Sequence, residues 1–219
     1  MEVRVPSYPW FGDRDLTLDF PENWEVKVLK MKGHDSPAVS KEETRSALRS
    51  PIGSKPLAEI AKGKDSAVII FDDLTRPTKV GEIAEVVVEE IKIDEIVFVC
   101  ANGAHGTFNR EDFAKKLGEK IVESYPVFNH NPYENLQYLG ETSFGTPVEV
   151  NAEVMSYPLK IGIGCIVPHV QYGYGGGAKI MLPGVAGMKS IVHNHGILAG
   201  WGYAMKFREV HPSCQMAYG

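Results

Sequence analysis

The chain has no basic run and no Lys/Arg patch interleaved with aromatics. With a net charge of −5 and a pI near 5.8, it lacks the electrostatic footprint of a nucleic-acid binder. No apolar stretch reaches the roughly 18–20 residues that a membrane-spanning helix requires. There are only three cysteines, Cys100, Cys165 and Cys214, widely spaced and without a CxxC pair, so no disulfide framework is expected. The odd count, with no signal-peptide pattern, predicts a reducing, cytoplasmic setting. Cys100 and Cys165 lie in apolar runs and are expected to be buried free thiols. Internal repeats and low-complexity segments are absent too.

What is present suits a globular α/β protein. At 219 residues, with 43% hydrophobic and 23% charged residues, the chain can bury one sizeable domain. Residues 1–30 alternate in hydropathy (Val3-Arg-Val5, Leu16-Thr-Leu18, Trp24 to Val28), which predicts a β-hairpin or meander. Residues 40–62 predict a helix in two pieces: Ser40 caps the first with Glu43 three residues on, and Ser50-Pro51-Ile-Gly-Ser54 breaks it. The pattern then changes. Ala67–Phe71 is a short continuous apolar run, as expected of a strand covered on both faces, and Glu95–Cys100 predicts a second buried strand. Helices are predicted at Val80–Ile91 and Arg110–Ser124, a weaker strand at Val127-Phe128, a hairpin arm at Ser143–Asn151 and a core strand at Lys160–Ile166. Strands alternating with helices predict a mainly parallel, Rossmann-like sheet flanked by helices.

The unusual residues fall after these strands, where open α/β sheets bind ligands. Asp72-Asp73-Leu-Thr75-Arg76-Pro77 offers a guanidinium for a carboxylate, with Asp73 able to orient it; a local Asp–Arg pair and helix cap is the plainer alternative. Gly103-Ala-His105-Gly106 sets a histidine between glycines on a loop. His34, His130 and His211 have no such context and read as ordinary surface residues. The segment from His169 to Lys179 holds four glycines in five positions (Gly173, Gly175, Gly176, Gly177) followed closely by a lysine, a combination suited to a phosphate approached by backbone N–H groups. It fits neither the GxGxxG nor the GxxxxGK[ST] spacing, which disfavours an ordinary dinucleotide or ATP site. Lys179 is either a phosphate-binding cation or a covalent anchor. His193 and His195 are two apart, so on a helix only one faces the site, and spacing does not choose between them.

Together these residues resemble the nickel-dependent lactate racemase family. The ordered set is Asp73-x-Thr75-Arg76-Pro77, Gly103-x-His105, His169 to Lys179 to Leu182-Pro183-Gly184, and Asn194-His195, with Ser50-Pro51-Ile52-Gly53-Ser54 upstream. It runs from about residue 45 to the end of the chain. Family members are roughly twice as long. The resemblance therefore implies that residues 1–219 are the cofactor-binding N-terminal domain, with the family's C-terminal domain missing from this chain.

The resemblance also implies a nickel-pincer nucleotide, a pyridinium mononucleotide whose two thio-acid arms clamp nickel, delivered by cofactor-making enzymes. Lys179 would form its thioamide tether, His195 would supply the remaining nickel ligand, and the loop Gly175, Gly176, Gly177 would lie against it. His105 and His169 would be paired acid–base groups and Arg76 would bind the substrate carboxylate, with Asp73 and Thr75 supporting the site. The implied activity is racemisation or epimerisation of a 2-hydroxy acid, an isomerase reaction. Because an α-proton of such an acid is hard to remove, the route would pass a hydride to the cofactor while a histidine takes the hydroxyl proton. Two other classes compete: a non-catalytic nucleotide- or metal-binding module, and a zinc hydrolase built on His195 with His169 or His105.

Overall fold

A computed structural model of the chain describes residues 1–6, 15–30, 33, 36–169 and 173–197. His34, His211 and Cys214, discussed above, lie outside the described residues. Strands β1 (Glu2–Pro6) and β2 (Asp15–Asp19) pair antiparallel, as the alternation predicts. Trp24–Val28 adds no third strand. A turn closed by the Trp24 N–H on the Pro21 carbonyl (3.1 Å) brings the Trp24 ring against Phe20 instead.

The helical stretch comes in two pieces, α1 (Lys41–Arg49) and α2 (Leu57–Ala61). Ser40 and Glu43 form a reciprocal capping box at the start of α1: the Ser40 hydroxyl accepts from the Glu43 N–H and the Glu43 carboxylate accepts from the Ser40 N–H.

The body of the protein then alternates: β3 (Ser66–Asp72), α3 (Val80–Ile91), β4 (Glu95–Ala101), α4 (Arg110–Leu117), α5 (Glu119–Ser124) and β5 (Val127–Asn129). A hairpin of β6 (Leu136–Glu141) and β7 (Pro147–Asn151) follows, then α6 (Ala152–Ser156) and β8 (Leu159–Ile163). Strands β5-β4-β3-β8 form one parallel sheet. Alternate residues of β3 and β4 enter two apolar layers. Ala67, Ile69, Phe71, Ile96 and Phe98 meet Val80, Ala84, Val87 and Leu117 of the helices. Val68, Ile70, Val97 and Val99 meet Val150, Val154 and Val185 on the opposite face. Burial on both faces is why these strands read as unbroken apolar runs.

Two expected elements are shorter than predicted. The single helix Arg110–Ser124 is two helices parted by Gly118, whose φ of +83° lies in the positive range that favours glycine. The break sits where α4 meets α3: a Cβ on Gly81 would lie 2.3 Å from the Leu117 carbonyl oxygen, so the backbones touch there. The strand expected over Lys160–Ile166 ends at Ile163, and the chain leaves the sheet through Gly164. No helix among the described residues is long and apolar enough to cross a membrane.

Strand order decides where a ligand can sit. From β3 the chain moves outward to β4 and β5, then returns to place β8 on the other side of β3. The connections diverge between β3 and β8, and that switch point opens a crevice at the carboxyl ends of the strands.

Candidate active site

Three strand-end loops and one helix build the crevice. At the end of β3, the Asp73 carboxylate accepts the Thr75 N–H (2.9 Å) and the Thr75 hydroxyl. The Arg76 N–H bonds the Asp73 carbonyl (3.1 Å), and the guanidinium donates to the Thr75 hydroxyl (2.9 Å). Asp73 thus acts on Arg76 through Thr75. Its other oxygen lies 2.5 Å from Nδ1 of His105, which the β4 loop supplies. Burial works to raise the Asp73 carboxyl, but the bonds from His105 and Thr75 outweigh it and hold the group below the usual carboxylate range. A carboxylate on Nδ1 leaves the Nε2 lone pair as the basic atom of His105, the arrangement an oriented general base requires.

After β8, the two-residue strands β9 (Pro168–His169) and β10 (Gly173–Tyr174) pair antiparallel and bring His169 to the crevice. The Gly175 N–H is committed to the Val167 carbonyl (2.7 Å). Gly176 has a φ of +95°, and a Cβ there would fall 2.7 Å from the Cys165 carbonyl oxygen, so only glycine suits the position. A 3-10 turn, Gly177–Ile180, carries Lys179. The last element among the described residues, α7 (Met188–Ile197), presents Ile191 and His195 to the crevice. Its His193 faces the other way, 3.0 Å from the buried Thr146 hydroxyl at the β6–β7 hairpin.

The result is one cavity of about 540 Å³ bordered by Asp73, Arg76, His105, His169, Gly176, Gly177, Lys179 and His195. Gly175 and Thr75 are not among its lining residues; Gly175 bonds the Val167 carbonyl and Thr75 links Asp73 to Arg76. Cys100 is buried as expected, whereas Cys165 is only half-buried and borders the cavity.

The cavity disfavours extra positive charge. Burial, together with the Arg76 guanidinium, lowers the Lys179 amine to about 8. Burial and the charges of Lys179, Arg76 and His195 lower His169 to about 4. His195 is lowered by burial first, partly offset by its bond to the Ile191 carbonyl (2.9 Å from Nδ1). That carbonyl selects the Nδ1–H tautomer and puts the lone pair on Nε2, as a metal-binding imidazole needs.

His130 is not a surface residue. It is buried behind the site, with Nε2 on the Ala186 carbonyl (2.8 Å) and Nδ1 accepting from the Asn151 amide (3.1 Å). Its N–H bonds the Asn102 side chain at the root of the His105 loop (3.0 Å). Burial lowers its proton affinity, partly offset by the bond to Ala186. One signal was readable: His130 directly follows β5 at the carboxyl edge of the sheet, as His105 follows β4. The buried pair of Lys116 with Asp72 was also missed. Lys116 shares a helix face with Phe113 and Leu117 at i−3 and i+1, and that phase was its only mark.

Gly184 joins two of these loops, its carbonyl accepting the Gly103 N–H (2.9 Å). A Cβ there would lie 2.1 Å from the Ile180 carbonyl oxygen and 2.9 Å from Ala101 Cβ. Gly184→Ala is therefore expected to destabilise the fold by about 1–3 kcal/mol through backbone displacement. Denaturant unfolding reads this directly; an unchanged midpoint would mean that the 180–184 segment yields freely.

Fold and cavity together define an α/β protein whose switch-point cavity is bordered by Arg76, Lys179 and three histidines. The chain belongs to the lactate racemase family: the family's N-terminal domain matches residues 11–205, reaching further upstream than the motifs themselves. It is 31% identical over 193 residues to the lactate racemase of Thermoanaerobacterium thermosaccharolyticum, covering 84% of this chain and 45% of that protein. Against the lactate racemase of Lactiplantibacillus plantarum the identity is 30% over 193 residues, covering 84% and 46%. The solved apoprotein of the T. thermosaccharolyticum enzyme superposes with a TM-score of 0.82 at 26% identity, over 100% of this chain and 52% of that one. A Thermotoga maritima protein shares the fold (TM-score 0.63, 23% identity, 74% and 42% covered). The chain spans about half the length of the relatives it matches.

Proposed function

We propose that this chain is the cofactor-binding N-terminal part of an isomerase that racemises or epimerises a 2-hydroxy acid, lactate or a close analogue. The observation that carries this reading is the convergence on one cavity of Arg76, His105, His169, Lys179 and His195. The relatives named lactate racemase support the same chemistry.

The residues fit a lysine-tethered nickel-pincer nucleotide. An amine with its proton affinity lowered to about 8 is partly neutral near neutral pH, so Lys179 is competent to form an amide-type bond. His195 offers an Nε2 lone pair to a metal, and the backbone of Gly176 and Gly177 borders the cavity where a phosphate would lie. Among the described residues no three His, Cys, Asp or Glu side chains cluster as metal ligands. A group bringing most of its own donors would need only His195 from the protein. When bound, the group supplies the acceptor for hydride from the substrate carbon.

The side chains of the protein do the rest. Arg76 pairs with the substrate carboxylate and fixes its orientation. His105, aligned by Asp73, takes the hydroxyl proton at Nε2 and returns it; His169, from a different loop, serves the other enantiomer. His169 is held low by burial first and by neighbouring cations second. Pairing Arg76 with a carboxylate and neutralising the Lys179 amine remove two of those charges and so relieve the smaller, charge-based part of the lowering.

The competing reading, a non-catalytic binding module, gives no role to a histidine aligned by a buried carboxylate. Intact mass and metal analysis of the protein co-expressed with the cofactor-making enzymes separate the two. We expect an adduct on Lys179 and roughly equimolar nickel. An unmodified Lys179 without nickel would favour the module.

A further inference from the structure

We propose that Lys116 is a positioning residue for the carboxylate-binding loop: its buried ammonium, held between Asp72 and the Arg76 carbonyl, sets the point from which Arg76 meets the substrate. This rests on the substrate reading above.

The Lys116 side chain is 1% exposed, on the face of α4 that otherwise carries Phe113 and Leu117. A lysine is not needed there for packing. Its neighbour Lys115 is 45% exposed and pairs with Asp112 at the surface. Burying an ammonium is costly, and a buried ion pair is often no more stabilising than a well-packed apolar pair. What the ammonium does, and a leucine would not, is fix a main-chain atom of the site. It donates to the Arg76 carbonyl oxygen (2.9 Å) while lying 2.8 Å from Asp72 Oδ1. Asp72 supplies the counter-charge, and the Arg76 carbonyl accepts the hydrogen bond.

Asp72 anchors this ammonium to the rest of the site. Its Oδ2 accepts the Thr78 hydroxyl (2.5 Å) just before α3, and the Cys165 thiol beyond β8 contacts the same carboxylate. The loop between Asp72 and Thr78 is thus closed at its base. Within it Arg76 is restrained at both backbone ends, its N–H on the Asp73 carbonyl and its C=O under Lys116. Loss of the ammonium frees one of these restraints, and displacing a charge-clamping side chain by about 1 Å costs on the order of ten- to a hundredfold in the contact it makes.

The test uses the full-length holoprotein with L-lactate as the anionic probe and lactamide as its uncharged counterpart, both titrated by NMR. Lys116→Met alone strands a buried carboxylate and risks misfolding, so the informative variant is Asp72→Asn with Lys116→Met, which removes both charges; Arg76→Ala is the reference. We expect the double variant to melt within a few degrees of the parent, to bind lactate about tenfold more weakly, and to bind lactamide as the parent does. Equal losses for both probes, or unchanged lactate binding while Arg76→Ala weakens it, would overturn the positioning role. Unchanged lactate binding in Arg76→Ala itself would instead overturn the substrate reading on which it stands.

Discussion

Replacing His105 with Asn in the cofactor-loaded enzyme is expected to lower turnover by about 10²- to 10⁴-fold, the range for losing a positioned general base. The expectation comes from the Asp73–His105 pair. Asp73 is buried and hydrogen-bonded, so it remains a carboxylate to unusually low pH and keeps accepting the Nδ1–H. An asparagine can occupy the space but has no lone pair of comparable basicity to take a hydroxyl proton. Substrate affinity, set by Arg76, should change little, so the loss falls on kcat and not on KM. The linkage sign follows from the lowered Asp73: its contribution to stability is complete above the ordinary carboxylate range and disappears as pH falls through its lowered value. A chiral assay of racemisation with a matched melting curve decides the matter. A loss of less than about tenfold in a folded variant would remove His105 from the reaction.

Lys179→Arg is expected to abolish covalent cofactor attachment altogether while keeping the positive charge. The mass increase should vanish and bound nickel should fall with it, since a guanidinium does not acylate under these conditions. The same lysine has a signature before any cofactor arrives. With its proton affinity lowered to about 8, against 10.5 for an ordinary lysine, Lys179 should react with an acylating reagent at a rate that rises through pH 8. Exposed lysines should become reactive only some two units higher. The sign is that of a group whose neutral form is favoured by the fold: above the midpoint the amine is free to react, below it is protonated. Burial is the largest cause and Arg76 the next, so Arg76→Ala should move the midpoint upward. A midpoint near 10 in the parent protein, read by peptide-level mass spectrometry, would show that the cavity does not depress the amine.

The parallel sheet and the candidate loops were legible for a simple reason: the information is local. Ala67–Phe71 and Ile96–Cys100 are apolar at every position, as strands covered on both faces require, and they belong to the two central strands. The Ser40–Glu43 capping box needs four consecutive residues and forms as read. The break at Gly118 was not legible, because a glycine within a helical pattern is ambiguous until α3 presses against it at Gly81. His130 was misread for the opposite reason. Its surroundings in sequence are polar, and it is buried by Asn102, Asn151 and Ala186, which lie 28, 21 and 56 residues away.

The choice between His193 and His195 shows the same division. Two residues apart on a helix point to different sides, so spacing required that only one face the cavity. Which one was decided by how α7 lies on the β6–β7 hairpin, where Thr146 takes His193 and the Glu149 N–H meets the Ser190 hydroxyl (2.9 Å). Sequence by itself determined the kind of protein this is: an α/β sheet with an arginine loop, a histidine loop and a glycine-lysine loop at its strand ends. Periodicity and turn chemistry act over a few residues, and those signals survive without a fold. Tertiary structure decided the partnerships: Asp73 with His105, Lys116 beneath Arg76, His130 with Asn102 and Asn151, and Thr146 with His193. Each depends on contacts between distant segments and on burial, which no local pattern encodes.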